Sequence, residues 1–311
     1  MIVKQNDIDI SSYVTSVTWS GSSEQVSRTL SYNVAHNPND DSLKSPAAAL
    51  GDIIKFYENG KRLYLGIVTA REKKSEFGEI SVNSKDFLHY LIRDKFSGTF
   101  KNTTAEKITQ KVCSSVGIGT KDLAKTNIHI KKILSESDSV YNTIVKAYNK
   151  ASVKNKKYYM PYMKGTKISV KEKWKSSGVE LYMNIEEASY SENSDSMVNQ
   201  VLIYNEKGKK IGIVKDQQSI NQYGRYQETY TKEKGINPNT GARKLLEGKV
   251  KEASVRAIGD IAAVSGTSIK IKDIATGLSG TYYITSDSHT WQNGNHMMDL
   301  TIRFSKNRES V

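Results

Sequence analysis

Met298, Asp299, Leu300, Thr301, Ile302, Arg303, Phe304 and Ser305 alternate apolar and polar residues without a break. Successive strand side chains point to opposite faces, so a period of two specifies a strand buried on one side and wet on the other. Leu30, Tyr32 and Val34 alternate in the same way, as do Leu181, Met183 and Ile185. Turn segments divide such runs: Glu58 to Lys61 around Asn59-Gly60, Glu206 to Lys209 around Gly208, and Gln292 to Asn295 around Asn293-Gly294. Asn-Gly accepts the positive φ angles that tight hairpins need. The four prolines, at 38, 46, 161 and 238, interrupt none of the strong strand patterns. The chain is expected to be α+β and β-rich.

Three segments carry helical spacing. Thr103 and Glu106 stand in capping-box register, Ala105, Ile108, Val112 and Val116 share a face, and Gly117 supplies a stop. Ser137-Asp138 can cap a second helix with Val140, Ile144, Tyr148 and Ala151 on its apolar face. Gly241 precedes a third, expected over 241–252, with Ala242, Leu245, Leu246, Val250 and Ala253 at helical spacing.

A weak internal repeat organises the strands. Gly51 to Phe56 leads to Leu63 to Thr69, a charged hairpin and a closing strand, Gly78 to Val82. Gly266 to Ile271 leads to Gly280 to Thr285, a polar hairpin and the closing strand 298–304. Short antiparallel strands with evenly spaced turns argue for small closed barrels, because closure removes exposed edges. Two barrels are therefore expected, 1–95 and 191–311, the second with a helical excursion near 241–252. They flank a middle α/β domain, 96–190.

The composition narrows the class. With 311 residues, 37% of them hydrophobic, and a mean hydropathy of −0.56, the chain can build a core in two or three domains. No apolar run reaches the ~18 residues of a membrane-spanning helix, and the segment from Met1 to Asp7 lacks the apolar stretch of a secretory signal. A single cysteine, Cys113, can form neither an internal disulfide nor a cysteine metal cluster, so folding in a cytoplasm is expected. The net charge of +13 is concentrated: residues 121–180 hold fourteen lysines and five acidic residues. A basic excess suggests an acidic partner surface, nucleic acid or membrane. A solvated lysine face is the simpler reading, since lysine lacks the fork with which arginine reads phosphate.

The search for chemistry is mostly negative. No phosphate-binding loop, dinucleotide fingerprint, zinc-protease helix or serine elbow is present. His289 and His296, on the two arms of the hairpin around Asn293-Gly294, could approach each other and, with Asp287 and Asp299, offer ligands to zinc or iron. No supporting shell accompanies them, and a solvent-exposed polar hairpin arm is the favoured reading. Glu186 and Glu187, adjacent on a strand, point to opposite faces and cannot flank a substrate. Cys113 lies near the apolar face of the first helix, as an inert thiol would. Lys154 to Tyr162 and Trp174 mix cations with aromatics, which could stack bases or form a hairpin packed beneath lysine stems. No catalytic, cofactor or metal residue is assigned, and the chain is expected not to be an enzyme.

An ordered series of residues resembles a known family. It runs Trp19; Arg28-Thr29-Leu30; Gly51-Asp52; Asn59-Gly60-Lys61; Gly66-Ile67-Val68; Asp86-Phe87-Leu88, Tyr90-Leu91; Cys113, Gly117-Ile118. It continues through Met197-Val198-Asn199, Val201; Ser219-Ile220, Tyr223-Gly224; Lys244-Leu245-Leu246; Tyr282-Tyr283-Ile284; and Asp287 to Trp291. The series, spread over about residues 1 to 305, is similar to that of baseplate hub proteins of contractile phage tails, in particular the PBSX-type prophage group (XkdQ/YqbQ-like), distantly related to the late control protein D group. The resemblance implies two tudor-like β-barrels with helical and α/β insertions. It also implies a homotrimeric ring, in the tail baseplate of a virion assembled in the bacterial cytoplasm, that adapts the six-fold tail tube to the three-fold spike. The implied partners are further copies of the chain, tail tube proteins, the spike and other baseplate proteins, without membrane or cofactor. The alternatives are a tail-associated cell-wall hydrolase, which would need a convergent catalytic site, and a nucleic-acid-binding protein acting through 121–175. The lysine-rich segment is more basic than the family pattern requires.

Overall fold

The computed structural model describes residues 1–37, 39–40, 48–73 and 78–306. Two of the prolines, Pro38 and Pro46, lie outside the described residues. The first third holds β1 (Ile2–Gln5), β2 (Ile8–Asp9), β3 (Val14–Ser22), β4 (Thr29–His36), β5 (Ile53–Glu58), β6 (Lys61–Lys73) and β7 (Gly78–Asp86). Then follow α1 (Leu88–Arg93), β8 (Lys95–Thr103), α2 (Ala105–Ser115), β9 (Thr120–Leu123), β10 (Ile130–Ser139), α3 (Val140–Asn155), β11 (Tyr159–Lys164) and β12 (Lys167–Glu172). The remainder holds β13 (Lys175–Leu181), β14 (Ile185–Asn193), β15 (Gln200–Tyr204), β16 (Lys210–Lys215), α4 (Gln217–Tyr223), β17 (Gln227–Thr231), α5 (Pro238–Arg243), β18 (Val250–Ile258), β19 (Thr267–Lys272), β20 (Ser279–Gln292) and β21 (Asn295–Arg303).

The repeated strand order becomes two antiparallel meanders. β5-β6-β7 turns at Asn59 (φ 47°) and Gly60 (φ 74°), and β19-β20-β21 turns between its last two strands at Asn293 (φ 51°) and Gly294 (φ 78°). The period-two pattern reads out directly: Met298, Leu300 and Ile302 of β21 are buried, while Asp299 and Thr301 are exposed.

The expected pair of separate closed barrels is not what the pairing gives. β3 pairs with β20 from Ser16↔Gln292 to Ser22↔Ser286, and this seam fuses the two halves into one 13-stranded, largely antiparallel sheet. Its strands run as a path from β14 to β2, with β13 and β19 branching at β20. The seam removes the exposed edges of β3 and β20 that barrel closure was invoked to remove.

The described residues form four hydrophobic clusters. One, with Val17, Leu30, Tyr32, Ile54 and Phe56, belongs to the first third and also takes in Trp291. A second packs α2 and α3 on β8, β10 and β12 through Ile108, Val112, Ile133, Ile144 and Ile168. A third lies beneath the second meander and includes Val179 and Leu181 of β13. The fourth, with Val201, Ile203 and Tyr230, lies beneath the β16-β15-β17 sheet.

Several local expectations need correction. The third helix is confined to Pro238–Arg243, and Val250 and Ala253 lie on β18. Apolar residues at 242, 245 and 246 bury equally well along an irregular segment, and β18 gains ladders with both β14 and β21. Met183 sits in the turn between β13 and β14 and is 91% exposed, so the alternation from Leu181 to Ile185 crosses a turn. Thr103 ends β8. Thr104 is the N-cap of α2 without a side-chain bond, and Glu106 instead accepts hydrogen bonds from the N–H and hydroxyl of Thr126. Ser139 rather than Ser137 or Asp138 caps α3, its hydroxyl accepting from the Asn142 N–H at 3.1 Å. Pro161 lies within β11, which its position on a sheet edge permits.

Candidate functional site

The β3–β20 seam carries a buried polar cluster. In-register pairing sets Gly21 opposite Asp287 and Trp19 opposite His289. Because Gly21 has no side chain, the Arg28 guanidinium lies over its Cα; a methyl group there would stand 2.5 Å from Arg28 Nη1. The guanidinium also lies 3.9 Å from the centre of the Trp19 ring, a cation–π contact. From there Nη1 and Nη2 donate to the two carboxylate oxygens of Asp287 at 3.0 and 2.5 Å, and the Ser265 N–H adds a third donor at 2.6 Å. Burial works to raise the Asp287 pKa, but the charge and hydrogen bonds of Arg28 outweigh it and hold the carboxyl below its usual range.

His289 continues the cluster. Its Nε2 lies 3.1 Å from the Ala263 carbonyl, which can only accept, so this nitrogen carries the proton. Its Nδ1, 3.1 Å from Nε2 of His296, therefore accepts from His296. Both rings are neutral in this arrangement. Burial lowers the pKa of each, and the neighbouring His289 lowers that of His296 further, to about 4. The structure thus brings Asp287, His289 and His296 together, but the lone pair that His289 would offer a metal is already taken. Asp299 stands apart on the exposed face, 3.9 Å from Arg256. No group of three or more metal-ligating side chains occurs among the described residues.

Beside the seam lies a cavity of about 570 Å³, walled by the 22–28 loop, the start of β6 and β11 with its following turn. Its walls are apolar at Leu63, Leu88 and Met163, and its charged lining is Arg28, Lys61, Arg62, Lys164 and Lys171 against one carboxylate, Asp86. Asp86 accepts from the N–H groups of Arg28 and Leu88, each at 3.1 Å. Burial nevertheless dominates and raises it to about 7. Burial, helped by the charge of Arg28, lowers Lys171 to about 8; its ammonium donates to the Ser265 carbonyl at 3.3 Å.

The other candidate residues are structural in their surroundings. Burial pushes the Cys113 thiol up to about 12. Glu186 and Glu187 are both exposed, and Glu186 is bonded to Arg256 at 2.7 Å. Tyr159 packs against Tyr148 with ring centres 5.0 Å apart, and Trp174 is buried against Tyr283 at 5.5 Å. Sequence reasoning picked out the histidines but not the Arg28–Asp287 pair. Both residues stand in the ordered series, but no spacing rule links positions 259 apart.

The family model described as YqbQ-like matches residues 17–303. Phage-like element PBSX protein XkdQ of Bacillus subtilis (strain 168) is 26% identical over 301 residues, covering 92% of this chain and 91% of the relative. The 43 kDa tail protein of prophage MuSo2 from Shewanella oneidensis has the same fold, with a TM-score of 0.73 at 16% identity, over 97% of this chain and 96% of that one. The tail protein from Neisseria meningitidis MC58 also shares it, with a TM-score of 0.68 at 13% identity, over 98% and 96%.

Proposed function

We propose that this chain, which belongs to the YqbQ-like family, is a structural component of a phage tail or tail-like particle and serves as its baseplate hub. The observation that carries this reading is likeness along nearly the whole chain, to XkdQ in sequence and to two prophage or tail proteins in fold. The role needs no catalytic residue, metal or cofactor. At the centre of the seam the Arg28–Asp287 pair and the His289–His296 pair bond to each other and to the backbone of Ser265 and Ala263, an arrangement that suits a structural joint.

In this reading three copies form a ring on the tail axis, within the virion, after assembly in the bacterial cytoplasm. The two meanders are the basis of the adaptor: each repeats the same order of antiparallel strands within the shared sheet, so a three-fold ring displays six similar meanders to the six-fold tube. Each meander covers a hydrophobic cluster of its own, and Trp291 of β20 ties the first cluster to the second meander. The division into 1–95, 96–190 and 191–311 is proposed with β13 and β14 joining the last unit through their pairing with β19 and β18, and the rest of the middle region, present once per chain, faces the spike and other baseplate proteins. The packed aromatics of 159–174 favour this structural role over base stacking by the lysine-rich segment.

The test is a reconstruction of the assembled tail end. Three copies closing a ring on the axis between tube and spike are expected. A six-copy ring, or a position off the axis, overturns the reading.

A further inference from the structure

The cavity beside the seam is bounded by two strand edges without backbone partners. β6 begins at Lys61, yet its ladder with β7 begins only at Gly66, opposite Asp86, the last residue of β7. Residues 61–65 pair with β5 on one side and, among the described residues, with no strand on the other. Across the cavity β11 is the outer strand of the β11-β12-β9 sheet, so its side away from β12 is also unpaired. Both free edges line the same space, residues 61–65 from one wall and 160–165 from the other. A free edge presents N–H and C=O groups in the spacing that an extended chain matches. Pro161 leaves β11 one donor short, so β6 would supply the fuller row of bonds.

The charges select what such a chain would carry. Arg28 is committed to Asp287, and Lys164 lies 2.6 Å from Asp122. Lys61, Arg62 and Lys171 have no carboxylate within ion-pair distance among the described residues. The apolar wall of Leu63, Leu88 and Met163 suits alternate side chains of a strand. A volume of about 570 Å³ falls within the usual range for enclosed ligands.

We propose that this slot receives an extended acidic segment of a partner protein as an added strand between β6 and β11. Main-chain hydrogen bonds hold the segment, apolar side chains seat it at alternate positions, and carboxylates meet the basic mouth. A segment of about five residues, roughly 16 Å long, fits the free edge of β6. The proposal stands apart from the hub assignment, since a hub with an empty slot would still be a hub.

The probe is a capped five-residue peptide alternating glutamate and valine, titrated into the full chain by calorimetry and followed by hydrogen–deuterium exchange. Saturable binding is expected, with slowed exchange confined to amides in 61–65 and 159–165. The double substitution Lys61→Glu and Arg62→Glu, at exposed positions, should weaken binding at least about fivefold. A peptide with a methylated central amide should bind more weakly still. No saturation by about 1 mM, equal binding of the lysine–valine counterpart, protection elsewhere, or indifference to the double substitution each overturns the proposal.

Discussion

Arg28 and Asp287 meet as a bidentate ion pair across the β3–β20 seam, joining the first strands of the chain to the last, with the Asp287 side chain wholly buried. Two charges withdrawn from water are tolerated only when paired and hydrogen-bonded, and here the Ser265 N–H and the Trp19 ring complete the enclosure. The pair fixes the register of the seam, because a slip of one residue would place Asp287 on the other face of the sheet.

Removing one partner should therefore cost more than removing both. Arg28→Met leaves the carboxylate buried and unpaired and is expected to cost about 3–5 kcal/mol. Adding Asp287→Leu to it should recover part of that loss. Urea midpoints of the wild type, the two single variants and the double variant close the cycle, and simple additivity would refute the coupling.

Gly21 and Gly66 are each required by close approach. A methyl group on Gly21 must push the Arg28 guanidinium off Asp287, and one on Gly66 would stand 2.2 Å from the Tyr64 hydroxyl and 2.5 Å from the Lys85 carbonyl. Gly66→Ala meets backbone, which cannot swing aside, and should cost about 1–3 kcal/mol. Gly21→Ala should cost a similar amount in the wild type and less in Arg28→Met, as measured by denaturant titration.

The strand periods and the Asn-Gly hairpins were legible because they are local: Met298, Leu300 and Ile302 announce their face within a few residues. The seam was not legible. Alternation tells that β3 and β20 each bury one face, but not which strand lies along each edge, and that choice decides between two barrels and one shared sheet. The third helix was misread because Ala242, Leu245 and Leu246 satisfy helical spacing over a stretch too short to settle the period. For the site, the histidine pair came from hairpin register alone, whereas Arg28, Asp287 and the edge-lined cavity depend on contacts between distant segments.

Cys113 should behave as a packing residue. Its thiol is buried on α2 and shifted up to about 12, so almost no thiolate exists at neutral pH. Native protein is expected to resist a disulfide reagent until unfolded by urea. Stoichiometric labelling within minutes without denaturant would contradict this placement.

The last prediction concerns acid. Stability changes with pH according to the protons bound in the unfolded minus the folded state. His296 titrates near 6.5 unfolded and about 4 folded. Between those values the unfolded chain holds more protons, so stability rises with pH, and the buried His289 acts in the same direction. Asp86 is the reverse, with an ordinary value of 3.8 and a folded value of about 7. Across that window the folded chain holds more protons, and stability falls as pH rises. Asp287, held below its ordinary value, adds a loss only as pH drops below about 4. The opposed slopes, each at most about 1.4 kcal/mol per pH unit, should leave the wild type with a shallow profile between about pH 4.5 and 6.5. His296→Gln, whose amide can still donate to His289, should shift the profile towards falling with rising pH. Asp86→Asn, which keeps one acceptor for the Arg28 and Leu88 N–H groups, should give one that rises. Urea midpoints at four pH values for the three proteins provide the measurement. Parallel profiles would mean that neither group titrates as its surroundings require.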